Sequence, residues 1–190
     1  MLEDHARAVT SIIVFIVGSI AIIWVSRASL RYPRSHGFPR FFAFEAIFAL
    51  IIVNAPHWFV FPIPTQQVVS WLLLVISIIL VVWGVVLLRS TGKAVAPSDE
   101  SPMFEWENTD KLVTTGIFQY IRHPMYSSLL FLAWGALLKS ITLGTLLLTG
   151  VATAALVATA KVEEAENLAR FGKEYRNYMR RTRLFVPYIL

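Results

Sequence analysis

Val68-Val69-Ser70-Trp71-Leu72-Leu73-Leu74-Val75-Ile76-Ser77-Ile78-Ile79-Leu80-Val81-Val82-Trp83-Gly84-Val85-Val86-Leu87-Leu88 contains no charged side chain. At about 1.5 Å per residue a helix of this stretch spans about 31 Å, against a bilayer hydrocarbon core of about 30 Å. It reads as a transmembrane helix, and four apolar stretches around it extend the pattern. Val9 to Val25 is interrupted only by Thr10, Ser11 and Ser19. Phe41 to Phe61 is span-like, with Glu45 near its start and Asn54, Pro56 and His57 near its end. Met125 to Leu138 and Ile141 to Ala160 are separated only by Lys139 and Ser140, the signature of a tight helical hairpin. The first arm of that hairpin covers about 21 Å, so it starts inside the interfacial layer or stops before the far side. The expected fold is an all-α polytopic membrane helix bundle of about five transmembrane helices. Its C-terminal hairpin continues into a cytoplasmic amphipathic helix.

Composition agrees. Of 190 residues, 56% are hydrophobic and 15% charged, against roughly 45–50% and about 25% in soluble domains, which excludes a disordered chain. The absence of cysteine excludes disulfide frameworks, thiolate metal sites and cysteine nucleophiles. Four scattered histidines without His-x-x-x-His spacing give no metal site. The net charge of +5 comes from basic residues lying between apolar runs. That pattern implies a lipid bilayer as partner and no nucleic acid. Of the 17 Lys and Arg, all but Arg7 and Lys139 fall in the first connection, the third connection or the tail. The positive-inside rule therefore puts the C-terminus in the cytoplasm and the N-terminus outside a cell membrane. Glu3 and Asp4 precede the first apolar run and arginines follow it, the reverse of a cleavable leader. Trp58, Phe59 and Phe61 on the outer side and Trp24 on the inner side suit interfacial anchoring. Residues 1–190 are read as one domain, with three spans in 1–90 and a binding loop, hairpin and tail in 91–190.

The longest polar connection, Ser90 to Thr115, carries Pro97, Pro102, Asp99, Glu100, Glu105, Glu107 and Asp110. Its second part runs into Leu112-Val113-Thr114-Thr115-Gly116-Ile117-Phe118-Gln119-Tyr120-Ile121-Arg122-His123-Pro124-Met125-Tyr126. Pro124 suits a first helical turn, where its missing N–H costs nothing. Unpaired N–H groups there, beside Arg122 and His123, form an electropositive end able to hold a carboxylate or phosphate. Anchoring of the chain to lipid phosphates is the structural alternative for the same two residues.

A second cluster follows the last span: Glu163-Glu164-Ala165-Glu166-Asn167-Leu168-Ala169-Arg170-Phe171-Gly172-Lys173-Glu174-Tyr175-Arg176-Asn177-Tyr178. Glu164, Leu168, Phe171, Tyr175 and Tyr178 recur at intervals of four and three, a stripe suited to docking on the bundle or the membrane surface. Glu163 lies off that stripe, where it can pair with the Arg122 and His123 region or with a cationic ligand. Charge runs on helices are mostly solvated faces, so Glu163, Glu164 and Glu166 also admit a purely structural reading.

Taken together, Leu112-Val113-x-x-Gly116-x-Phe118-x-x-Ile121-Arg122-His123-Pro124-x-Tyr126, a hairpin, Glu163-Glu164 and Phe171-Gly172-x-x-Tyr175-x-x-Tyr178 resemble the isoprenylcysteine carboxyl methyltransferase and phospholipid methyltransferase superfamily. The resemblance covers about the C-terminal half of the chain. It implies an integral membrane enzyme that takes a methyl group from S-adenosylmethionine without a Rossmann domain. The sequence agrees, since its nine glycines include no Gly-x-Gly pair. The resemblance further implies cofactor contacts from Asp110, Lys111, Leu112, Val113, Phe118, His123, Pro124, Met125, Tyr126 and Glu163. In that assignment Leu112, Val113, Phe118 and Met125 make an apolar adenine pocket. His123 and the helix start hold the methionine carboxylate, Glu163 binds its ammonium or the ribose, and Tyr126 faces the sulfonium.

Two positions depart from the family pattern. Phe118 stands where tyrosine is common, which removes a hydroxyl contact. Thr159 stands where isoprenylcysteine methyltransferases place a carboxylate-binding arginine, and Lys161 points about 200° around the helix from it. The expected acceptor is therefore a small or lipid-borne amine, thiol or other nucleophile, approaching past Thr159, rather than a prenylcysteine carboxylate. Methyl transfer is an in-line displacement in which positioning and exclusion of water do most of the work. Arg122, Glu163, Glu164 and the membrane-embedded Glu45 are the residues expected to serve it, the three glutamates being reachable together only if the second span packs against the hairpin. A membrane reductase using NADPH and a non-enzymatic membrane protein remain as alternatives, distinguished by whether S-adenosylhomocysteine, NADPH or neither binds.

Overall fold

A computed structural model describes residues 2–59, 64–91 and 111–187. Asp110, the other acidic residues of the long connection, Pro97, Pro102 and Phe61 lie outside these residues. The elements are α1 (Leu2–Val25), α2 (Arg27–Arg31), α3 (Gly37–Val53), α4 (Thr65–Thr91), α5 (Pro124–Leu137), α6 (Leu143–Phe171) and α7 (Lys173–Arg181). Single 3-10 turns lie at Ala55–His57 and Gly116–Gln119. The described residues form an all-helical bundle whose only strand-like contact is a parallel bridge between Ile121 and Arg183. By length and composition α1, α4 and α6 can each cross a bilayer, while α5 is a shorter apolar helix.

The second span is shorter than its apolar run. It ends at Val53 rather than Phe61, because Asn54 is buried and turns its side chain away to donate from Nδ2 to the Ala136 carbonyl at 2.7 Å. Pro56 then opens a 3-10 turn in place of further α-helix. The hairpin forms as expected. Thr142 caps α6 through a reciprocal box with Thr145, and α6 runs on well beyond Ala160 to Phe171.

In hydrocarbon no hydrophobic force drives helix against helix, so close packing of small residues and satisfied polar groups must hold a bundle together. The centre shows this. Ala46, Ala133, Ala136 and Ala152 meet Ile47 and Leu50 where α3, α5 and α6 cross, and Ala43, Leu156 and Ala160 join Tyr126, Leu184 and Phe185 below them. Between α4 and α5, Ser70 donates to the Gly135 carbonyl at 2.6 Å, an approach in which a Cβ on Gly135 would lie 3.0 Å from Leu74. The outward faces are apolar and bare. Ile13, Val17 and Ile20 of α1 and Leu72, Ile79 and Val86 of α4 are all more than half exposed, as lipid-facing side chains are.

The two ends of the bundle differ in charge. At one end Arg7 borders Ala55 and Pro56. There too, Lys139 is buried with its Nζ 3.7 Å from the Trp71 ring centroid and 3.0 Å from Gln67 Oε1. The two basic residues that sequence counting separates from the rest thus share one end. Burial pushes the Lys139 ammonium below its ordinary range. At the other end, His36 at the start of α3 binds the Glu166 carboxylate through both its backbone N–H and Nδ1.

Candidate active site

The His36 end carries a cleft lined by Leu88, Leu112, Val113, Phe118, Arg122, His123, Pro124, Met125, Tyr126, Glu163, Asn167, Phe171, Tyr175 and Tyr178. Three local features build it. Gly116 turns with φ +59°, and a Cβ there would lie 2.4 Å from Leu87, so only glycine lets this loop lie against α4. Val113, Ile117, Phe118 and Ile121 pack on Leu88 as one apolar wall. Pro124 begins α5, and no side chain caps its first turn.

The opposite wall comes from α6 and α7. The amphipathic stripe read as one helix is in fact broken at Gly172, whose φ of +56° and ψ of −121° suit a residue without Cβ. The chain therefore folds back. Tyr175 and Tyr178 dock on the bundle, one of the two surfaces expected for the stripe, as buried cleft residues, and Tyr178 donates to the Phe118 carbonyl at 2.7 Å. Burial pushes both phenols above their ordinary range. Beyond α7 the tail pairs with the segment before α5. The N–H groups of Arg122 and His123 donate to the Arg183 and Leu184 carbonyls, and Ser127 Oγ donates to the Phe185 carbonyl.

His123 and Glu163, forty residues apart in the chain, are brought together, with Nδ1 3.7 Å from Oε2. Burial drives the His123 pKa down to about 3, so the ring is neutral at physiological pH. Its Nε2 is buried and has no hydrogen-bond partner among the described residues. A buried orphan of this kind implies a ligand atom or water. The ring stacks on Tyr126 at a centroid distance of 5.4 Å.

Other expected site residues are placed differently. Arg122 lines the cleft, but its guanidinium is committed: Nε donates to Glu164 Oε1 at 2.7 Å and Nη1 to the Met179 and Thr182 carbonyls. Glu164 is buried between Arg122 and Lys161 and is absent from the cleft lining, so the pair ties the segment before α5 to α6, while the Arg122 bonds to the Met179 and Thr182 carbonyls hold α7 and the tail. The electropositive helix end is correspondingly reduced, since the Arg122 and His123 N–H groups are spent on the tail. Glu45 accepts a hydrogen bond from Ser19 at 2.8 Å and faces α1, not the hairpin. Thr159 is fully buried, and its hydroxyl donates back to the Ala155 carbonyl in its own helix. Lys111 is exposed and not part of the lining, and Asp110 lies outside the described residues. Glu166, read as part of a solvated face, instead anchors His36.

Five lining residues had no expected place in the site: Leu88, Asn167, Phe171, Tyr175 and Tyr178. For Asn167 and Phe171 the signal was present, because they follow Glu163 at i+4 and i+8 and so share its helix face. Tyr175 and Tyr178 needed the break at Gly172.

The fold defines an integral membrane protein of the small helical-bundle kind, with a cleft at one end of the bundle. The family model for phospholipid methyltransferase matches residues 65–174. The chain belongs to that family. It is 29% identical over 79 residues to a methanethiol S-methyltransferase of Crocosphaera subtropica, covering 42% of this chain and 30% of that protein. It is 31% identical over 72 residues to methanethiol S-methyltransferase 1 of Bradyrhizobium diazoefficiens, covering 38% and 25%. The chain thus spans less than a third of either relative. No solved structure matches it significantly.

Proposed function

We propose that the cleft binds S-adenosylmethionine and that the protein transfers its methyl group to a small or membrane-borne nucleophile, a thiol first among them. The observation that carries this reading is the meeting of His123 and Glu163 at 3.7 Å in one cleft whose other walls are apolar and aromatic. The residues fit the group. Glu163, the only carboxylate lining the cleft among the described residues, suits a cationic amine or ribose hydroxyls, and Leu112, Val113, Phe118 and Met125 suit an adenine face. Being neutral, His123 does not attract a carboxylate by charge; it offers one donor and one acceptor to a polar group of the cofactor.

When bound, S-adenosylmethionine supplies an electrophilic methyl carbon on a sulfonium. The chain's own residues hold and align. Tyr175 and Tyr178 close one side and Phe118 the other, keeping water from the reacting atoms. The Arg122–Glu164 tie fixes the distance between the α5 start and α6, on which in-line geometry depends. The acceptor class is supported by the two methanethiol S-methyltransferase relatives. It is also supported by Thr159, which offers no basic side chain that could clamp a carboxylate.

Titration of the protein in detergent with S-adenosylhomocysteine tests the reading. Binding is expected for that ligand and not for NADPH, and Glu163→Gln should weaken it about 10- to 100-fold, the range for a lost charged hydrogen bond. Absence of S-adenosylhomocysteine binding to folded protein, or an unchanged affinity in Glu163→Gln, refutes it.

A further inference from the structure

Beside the segment that leads into His123 lies a second recess, lined by Gln119, Tyr120, Arg180, Arg181, Arg183 and Pro187. It shares no lining residue with the cleft. Three of its six residues are arginines and none is acidic. All three are exposed, and their guanidinium groups have no ion-pair or hydrogen-bond partner among the described residues. Three like charges held together without a counter-charge repel one another, an arrangement that an anion relieves. The convergence is imposed by backbone. Arg180 and Arg181 end α7, and Arg183 is brought beside Tyr120 by the bridge in which its N–H donates to the Tyr120 carbonyl at 2.9 Å.

The position favours a lipid as the source of the anion. Tyr120 is 43% exposed and lies four residues before the apolar helix α5 begins, the level at which amphipathic aromatics sit in a membrane interface. Guanidinium groups recognise phosphate oxygens in paired, charge-assisted hydrogen bonds. We infer that this recess is a binding site for the phosphate headgroup of an anionic phospholipid, separate from the cleft. Its location has a consequence for the cleft, because Arg183, which lines the recess, and the adjoining Leu184 accept through their carbonyls the bonds from Arg122 and His123. A headgroup seated on the arginines fastens that strap to the membrane face.

The test uses the full chain in dodecyl maltoside, titrated with phosphatidylglycerol, phosphatidylcholine or inorganic phosphate and read by native mass spectrometry. Phosphatidylglycerol should bind selectively, more weakly at high salt. Combined R180Q, R181Q and R183Q substitutions should weaken it about 100-fold, from about a fivefold contribution per arginine near an anionic headgroup. The corresponding triple lysine variant, which keeps the charge, should stay within a few-fold of wild type, and single R180Q at the helix end provides a variant that leaves the Arg183 bridge untouched and should itself lose about fivefold. Equal binding of phosphatidylcholine, unchanged affinity in the glutamine variants, or displacement of phosphatidylglycerol by equimolar phosphate would each overturn the proposal.

Discussion

Replacing Arg122 with methionine removes one partner of a pair whose side chains are 10% and 5% exposed. It deletes the 2.7 Å bond to Glu164 and those to the Met179 and Thr182 carbonyls. Breaking a buried pair from one side costs about 3–5 kcal/mol, because the surviving charge stays buried. Here Lys161 remains 3.0 Å from Glu164, and its side chain is 60% exposed, so it already shares that charge at little desolvation cost. The expected loss therefore lies at the lower end, about 3 kcal/mol. At about 2–4 °C per kcal/mol for a chain of this size, the unfolding midpoint in detergent should fall by about 6–12 °C. The damage should also be local. Amide hydrogens of Arg183, Arg122 and His123, which carry the bridge to the tail, should exchange faster, while those of α3 and the centre of α6 keep their protection relative to the global midpoint. Substituting both Arg122 and Glu164 with methionine should recover more than half of the loss, since no unpaired charge is then left inside. A midpoint within 2 °C of wild type for Arg122→Met, or unchanged exchange at the three amides, would show that the pair is not a clamp.

Acid should act through His123. Its pKa is about 3 when folded against 6.5 when free, so between those values the unfolded chain binds a proton that the folded protein does not. The stability due to the neutral ring is complete above pH 6.5 and declines by about 1.4 kcal/mol per unit as pH falls toward 3. Compared with wild type, His123→Gln should show a shallower decline over that window in equilibrium unfolding, and parallel curves would contradict the burial argument. Gly172→Ala should cost about 1–3 kcal/mol through backbone strain alone, since open space surrounds its Cβ position, and should weaken S-adenosylhomocysteine binding by misplacing Tyr175 and Tyr178; isothermal titration checks the second effect, and wild-type affinity would count against it. Tyr178→Phe leaves the Phe118 carbonyl without its 2.7 Å donor and should lower stability by about 1–2 kcal/mol in thermal unfolding, with no loss of helicity.

Much of the bundle was legible because a bilayer leaves few solutions. Long uncharged runs must become helices, and the distribution of arginine and lysine separates Arg7 and Lys139 from the rest, as the shared end of these two residues reflects. Helix ends were less legible. The stop at Val53 depends on Asn54 finding the Ala136 carbonyl of another helix, a partner that no local pattern names. The site divides along the same line. Leu112, Val113, Phe118, His123, Pro124, Met125, Tyr126 and Glu163 are gathered in one cleft. Glu164 and Glu45 did not follow, because adjacent or isolated carboxylates look alike in a sequence and only the facing helix decides which one meets Arg122, Ser19 or open space.

What the sequence by itself determined is the helical character of the long apolar runs, the hairpin, and the identity of the two motif stretches, since hydropathy and periodicity are properties of neighbours along the chain. Only the tertiary structure decided that Gly172 folds α7 back as a cleft wall, that the tail takes up the Arg122 and His123 amides, and that the His123 ring is neutral. Each of these depends on contacts between residues far apart in sequence, and the energies of burial and hydrogen bonding that select them exist only once those residues meet.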